Sequence, residues 1–225
     1  MRKVAFVVVA ALTALAVATS PAFAARGGAH GRNAASPHAA SPCIGTLAPG
    51  RYHKLVVPAG ATCMSEGPVT IRGGLFIRSG ATFVLGSDES TGSTGTISGG
   101  VRARNAASVQ IHRATIKGGL RVHGGSGPGE EPNVNFNAIE DNHISGGAIV
   151  EGYNGFWFGF IRNHVRGSVK LNNNVLVDPD GNEYVTNTIK GNLVCHGNSP
   201  APQVGDSEGQ PNVVTGRKIG QCARL

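Results

Sequence analysis

The stretch "NHVRGSVKL", residues 163–171, is written again at 142–150 as "NHISGGAIV" and at 187–195 as "NTIKGNLVC". Each copy has an Asn, an aliphatic residue two positions later and a Gly two after that. Aligned on the aliphatic residue, the phrase recurs at Ile71, Ile97, Ile116, Ile144, Val165, Ile189 and, less perfectly, Val214, at intervals of 26, 19, 28, 21, 24 and 25 residues. Such spacing marks one supersecondary unit being stacked, with loops absorbing the differences in length.

The Gly of the phrase stands at Gly73, Gly99, Gly118, Gly146, Gly167, Gly191 and Gly216. After the first six comes a period-two piece, such as Leu75 and Ile77, Leu120 and Val122, or Val169 and Leu171, which places these side chains on one face. A third short piece follows: Phe83 and Leu85, Val109 and Ile111, Val134 and Phe136, Phe156 and Phe158. Three short strands per unit, bent at Gly or Asn, leave no room for an ordinary helix. The expected fold is therefore all-β: a right-handed single-stranded parallel β-helix of about seven to eight coils. A β-sandwich also has many short strands, but it does not explain one phrase recurring at one place in every unit. Asn142, Asn163, Asn187 and Asn212 are expected at one corner, where Asn tolerates a left-handed backbone and stacked amides can hydrogen-bond. The Gly column is expected at the next corner, where a Cβ would clash.

Four cysteines, Cys43, Cys63, Cys195 and Cys222, allow three pairings. Their separations of 20 and 27 residues are each close to one coil, so Cys43–Cys63 and Cys195–Cys222 are expected to clip the two ends. Residues 1–24 read as a signal peptide, with Arg2 and Lys3, an apolar run and a small-residue exit at Ala22-Phe23-Ala24. Residues 25–42 read as a disordered leader and 43–225 as the β-helix domain. The expected localisation is secreted and extracellular, with no membrane association after cleavage. Without Arg2 and Lys3 the chain keeps 18 basic against 13 acidic residues, a net of about +5. That balance suits an anionic polymer, and with no recognisable binding module it does not point to nucleic acid.

The chain resembles the small exported parallel β-helix proteins of pectate-lyase-like fold found widely in actinobacteria. The resemblance rests on "PGRY" with "VPAGATC" near the start and "GNLVCHGN" with "GRKIGQC" at the end, and covers nearly all of 43–222. Those proteins mostly have no assigned activity, so the resemblance implies export and fold and suggests carbohydrate as the partner class. In the polysaccharide lyases and hydrolases of this fold, the groove lies on the outward side of the strand after the second corner. The resemblance thus selects Arg78, Arg102, Arg104, Arg121 and Lys170 as candidate binding residues here, with Arg72 or Lys117 beside them.

Glu151 is the only carboxylate expected on that face. A calcium-dependent lyase needs several acidic oxygens and an inverting hydrolase needs two carboxyl groups, so whether the protein is an enzyme is left open, leaning to binding. Should the face carry chemistry, Glu151 or His123 is the proton acceptor, with Arg121 and Lys170 stabilising negative charge. No cofactor is expected. "DPDGNE" (178–183) offers Asp178 and Asp180 as weak calcium candidates, though Asp-Gly is also ordinary turn chemistry. His143 and His164 share a column and form a weaker metal candidate still. Trp157 is expected to face outward beside Tyr153, as a sugar-stacking platform requires. The expectation is a secreted monomer that binds or organises an anionic extracellular or cell-wall polysaccharide; the alternative is a polysaccharide lyase or glycoside hydrolase.

Overall fold

Alternating side chains can be buried on one face only if each strand finds a partner in register, and here every partner is the equivalent strand of the next coil. The computed structural model describes residues 40–127, 136–204 and 209–225. These fall within the compact unit Ala35–Leu225. The signal-peptide expectation (1–24), residues 25–39 of the leader, residues 128–135, Val134 among them, and residues 205–208 lie outside the described residues.

Three parallel sheets result. Sheet A stacks Ala40–Pro42, Lys54–Val57, Leu75–Ile77, Val101–Arg104, Leu120–His123, Ala148–Glu151, Val169–Asn172, Leu193–His196 and Lys218–Gly220, in that spatial order. Sheet B stacks Gly45–Thr46, Thr62–Ser65, Thr82–Leu85, Ser108–His112, Asn137–Glu140, Phe158–Ile161 and Asn182–Val185. Sheet C stacks Gly50–Tyr52, Val69–Ile71, Gly95–Ile97, Ala114–Ile116, His143–Ile144, His164–Val165, Thr188–Ile189 and Val213–Val214. The protein is a parallel β-solenoid of about six turns, fewer than the seven to eight expected. The six are the windings from Thr62–Ser65 to Leu193–His196; beyond them, edge strands such as Gly45–Thr46 and Val213–Val214 are two residues long. Among the described residues pairing begins at Ala40, which aligns with Lys54, so the last three residues of the expected leader belong to the sheet.

The aliphatic columns fill the interior as expected. Leu55, Leu75, Val101, Leu120, Ala148, Val169 and Leu193 are all buried, and so are Ile71, Ile97, Ile116, Ile144, Val165 and Ile189 on sheet C. Each large member contributes roughly 1.5–3 kcal/mol of burial. Sheet B keeps a different register from the one expected in its later strands. Asn137 and Ile139, then Phe158 and Phe160, take the inward places, and Phe136 and Phe156 precede the strands. The corner sets this register: Ile139, Phe160 and Tyr184 each stand three residues before an Asn of the repeated phrase.

That Asn is a buried rung-to-rung connector. Asn142 Nδ2 donates to the Ile111 carbonyl at 2.7 Å, Asn163 Nδ2 to Ile139 at 2.6 Å, Asn187 Nδ2 to Phe160 at 2.6 Å and Asn212 Nδ2 to Tyr184 at 2.7 Å. The Oδ1 atoms of Asn163, Asn187 and Asn212 each accept from the Asn one coil below, through both its main-chain N–H and its Nδ2, and the Asn142 Oδ1 accepts from the Ala114 N–H at the foot of the ladder. The left-handed backbone expected at these Asn residues belongs instead to the residue before: Asp141, Arg162 and Thr186 have φ of 56°, 55° and 58°. A second ladder, buried at Asn174 and Asn198 and ending at the exposed Gln221, runs along the corner between sheets A and B. The phrase Gly residues need their hydrogen for space rather than for φ: a Cβ at Gly99 would lie 2.5 Å from Gly73 C and one at Gly167 2.6 Å from Gly147 N.

Both disulfides form with the expected pairing, Cys43–Cys63 at a Cα separation of 5.5 Å and Cys195–Cys222 at 5.3 Å. Neither joins register partners, since Cys63 aligns with Gly45 and Cys195 with Gly220. Cys222 sits in a 3-10 helix, Gln221–Arg224, which tucks Cys222 and Leu225 into the core at the end of the stack. Each cross-link restrains a terminal coil by about 3 kcal/mol.

Replacing Asn163 with Ala removes an acceptor for two donors and leaves the Ile139 carbonyl without its amide. Asn163→Ala is expected to cost about 2–4 kcal/mol and Gly167→Val more than about 1 kcal/mol, whereas the exposed Lys170→Ala costs less than about 0.5 kcal/mol. Urea unfolding of the three variants checks the order; equal midpoints for Asn163→Ala and Lys170→Ala would remove the ladder from the account.

Candidate functional site

Sheet A presents an open outer face. Register places Phe76, Arg102, Arg121, Ile149 and Lys170 in one column, adjacent members being one rung, about 4.8 Å, apart. Arg104, His123, Glu151, Asn172 and His196 form the column beside it. Arg78, Arg102, Arg104, Arg121 and Lys170 are exposed, and among the described residues none of them pairs with a carboxylate. At the N-terminal end of this face, Lys54, Arg78, Arg102 and Arg104 line a shallow pocket floored by Phe76 and Ile77. Lys54 Nζ lies 4.4 Å and the Arg102 guanidinium 5.6 Å from the Phe76 ring centroid, so the ring's negative face helps hold two cations close together. Lys54 and Phe76 complete a pocket that the sequence supplied only in part.

The two candidate catalytic residues meet. His123 Nδ1 is 3.8 Å from Glu151 Oε2, and both side chains are about half exposed. Trp157 is elsewhere: it packs edge-on against Phe136, with centroids 5.7 Å apart, and lies so close over Gly159 that a Cβ there would fall 2.1 Å from the indole. It covers sheet B, away from the basic columns. Tyr153 is fully buried, not outward, because Gly152 (φ 72°) turns the chain inward there. In the 178–183 loop, the Asp178 carboxylate accepts from the Asp180 N–H at 3.0 Å, and Asn182 turns into the core against Tyr184 Oη. His143 and His164 stack face to face at 5.0 Å.

A second cluster lies on the outer side of sheet B, where none was expected. His112 and Glu140 are register partners on adjacent rungs, both about 3% exposed, and Asp88 reaches them from the loop after Thr82–Leu85. His112 Nδ1 is 3.4 Å from Asp88 Oδ1 and 3.9 Å from Glu140 Oε2. Arg162 grips Asp141 with two bonds of 2.9 Å and approaches Glu140 Oε2 at 3.3 Å. Burial, above all, and the hydrogen bond and negative charge of Asp88 push the Glu140 carboxyl up to about 9, with Arg162 opposing weakly because Asp141 already engages it. The His112 ring, chiefly, and the contact with Glu140 draw Asp88 well below the ordinary carboxylate range. The pair thus holds one carboxyl protonated beside one ionised, as acid and base partners do.

The only sequence trace of this cluster is positional. Glu140 stands two residues before Asn142, and His112 stands two before Ala114 on the preceding rung, in a column that continues as Ile161 and Val185. No protein-family model matches the chain, and comparison with curated proteins and with solved structures likewise finds no match.

A carboxyl with a folded pKa above its unfolded value stabilises the fold fully at pH below the unfolded value and loses that contribution as pH rises to the folded one. Glu140, facing Asp88, His112, Asp141 and Arg162, therefore makes stability decline between pH about 4.5 and about 9. In chelator-treated protein, melting temperature is expected to fall across this window, and Glu140→Gln to remove part of the fall. Identical pH profiles for the two proteins would contradict the assignment.

Proposed function

We propose that the protein is exported and binds an anionic extracellular or cell-wall polysaccharide along the outer face of sheet A. The observation that carries this reading is the group of four cations, Lys54, Arg78, Arg102 and Arg104, around Phe76 in one pocket with no carboxylate among its lining residues. Arg121 and Lys170 extend the charge up the stack. Like charges held this close repel one another, and a polyanion relieves that repulsion while releasing its own counterions. Uronate, phosphate or sulfate groups repeated along a chain suit residues repeated along rungs, and several weak contacts in series give useful avidity. Phe76 offers an apolar surface for a sugar ring between them. The resemblance to exported β-helix proteins of pectate-lyase-like fold agrees with this reading. So do two disulfides, which persist in oxidising surroundings, and the absence, among the described residues, of any helix long and apolar enough to cross a membrane.

The alternative, a polysaccharide lyase or hydrolase, draws on the Asp88–Glu140 pair, whose split protonation is suited to general acid and base roles. That pair lies on sheet B, a different face from the basic columns, and Glu140 is buried, so binding remains the principal reading.

Affinity for polygalacturonate, alginate or teichoic acid, measured at low and moderate ionic strength, tests the proposal. Binding is expected to weaken as salt rises, and the combined Arg102→Ala, Arg104→Ala and Arg121→Ala variant to bind about tenfold more weakly, each exposed contact contributing about 0.5 kcal/mol. Absence of binding at low salt, or no change in the variant, rejects the basic face as the site. Product analysis on any bound polymer separates the enzyme reading from binding alone.

A further inference from the structure

We propose that Asp88, His112 and Glu140 form a binding site for one divalent transition-metal ion of the zinc class, separate from the polymer-binding face. Three observations carry this. First, His112 is buried to 3% exposure, and its Nδ1 has no hydrogen-bond partner although it points between the two carboxylates. At 3.4 Å from Asp88 Oδ1 and 3.9 Å from Glu140 Oε2 it makes no hydrogen bond, and a buried nitrogen left so is costly unless something else engages it. Second, the spacing fits an ion. Donor atoms at about 2.1 Å from a tetrahedral centre are about 3.4 Å apart, close to the observed 3.4 and 3.9 Å, and all three donors lie within 4.8 Å of one another.

Third, the donors stand on a built scaffold. Sheet register fixes His112 and Glu140 side by side, and Arg162 contacts a Glu140 oxygen at 3.3 Å, as an outer partner that orients a metal-binding carboxylate does. The loop that delivers Asp88 is anchored at both ends. The Gly86 N–H donates to the Ser65 carbonyl at 2.8 Å, and Thr94 Oγ1 donates to the carbonyl of His112 itself. Gly86, at φ 71°, has no room for a side chain: a Cβ would lie 2.5 Å from Thr94 Cγ2.

The donor set selects the ion. One imidazole nitrogen and two carboxyl groups, Glu140 releasing its proton to solvent as the ion binds, suit zinc, manganese or iron, whereas calcium would require six or more oxygens. Asp88 is 72% exposed at its side chain, so an ion can enter from solvent and keep water at its remaining positions.

The test uses untagged, chelator-treated protein titrated with zinc chloride by calorimetry, with cobalt(II) absorption as a second readout of coordination. One ion per chain at micromolar affinity or tighter is expected. Asp88→Asn, which changes an exposed loop residue, is expected to weaken binding by more than about a hundredfold, beyond what loss of an outer partner costs, and His112→Gln to do the same. Asp178→Asn is expected to change nothing. Failure of the chain to bind zinc or cobalt, or binding that Asp88→Asn leaves intact, overturns the proposal; in the latter case His143 and His164 become the zinc ligands, which a His143→Ala variant would show. Polymer binding and metal binding are read in separate experiments, so either can fail alone.

Discussion

The asparagine ladder between sheets B and C is the constraint on which the remaining geometry depends. Where a strand bends into the next sheet, a carbonyl points inward with no strand partner, and leaving it unpaired in the interior costs about 1–3 kcal/mol. Each Asn amide satisfies that carbonyl on the preceding coil and, with its oxygen, holds the corner of that coil in place, through Ala114 N–H below Asn142 and through an Asn on the higher rungs. An amide can reach both only when the coils are stacked at strand spacing and in one register. The ladder thereby fixes register as well as satisfying polar groups, and a slip of one residue would break every rung of it while turning the aliphatic columns outward.

Register then decides which outer residues meet. Residues tens of positions apart become neighbours if they occupy the same place in successive units, as Arg102 and Arg121 do on sheet A and His112 and Glu140 on sheet B. The two faces turn this to opposite ends. Cations on sheet A stay in water, where screening keeps their repulsion small and a ligand can reach them. On sheet B the outward residues, among them Val84, Gln110, His112, Glu140 and Glu183, are buried, so charge there is strongly felt and must be balanced locally.

How far this was legible in the sequence follows from the same logic. The aliphatic columns, the Gly corners, the disulfide pairing and the basic face were readable because each depends on period-two alternation or on spacing close to one coil. The strand Phe158–Ile161 is hard to place from sequence because "NGFWFGF" contains aromatics at every other position over too long a run. Alternation alone fits Phe156 and Phe158 as well as Phe158 and Phe160, and only the distance to Asn163 separates them. Tyr153 escapes the alternation because the turn at Gly152 resets it. The Asp88–His112–Glu140 group escaped because its members are spread over three coils with no motif among them, and Asp88 comes from a loop whose path no periodicity describes.

In a stack each coil is stabilised mainly by its neighbours through backbone pairing, core burial and ladder bonds, all of which use inward or main-chain groups. Outward positions on sheet A contribute little to this, so they can accumulate like charge at small cost to folding. The sheet B cluster differs, because His112 and Glu140 are enclosed and any change in their charge is transmitted to packing as well as to chemistry. A basic face can therefore vary in composition while the fold persists, whereas the acidic cluster is tied to the coils that bury it.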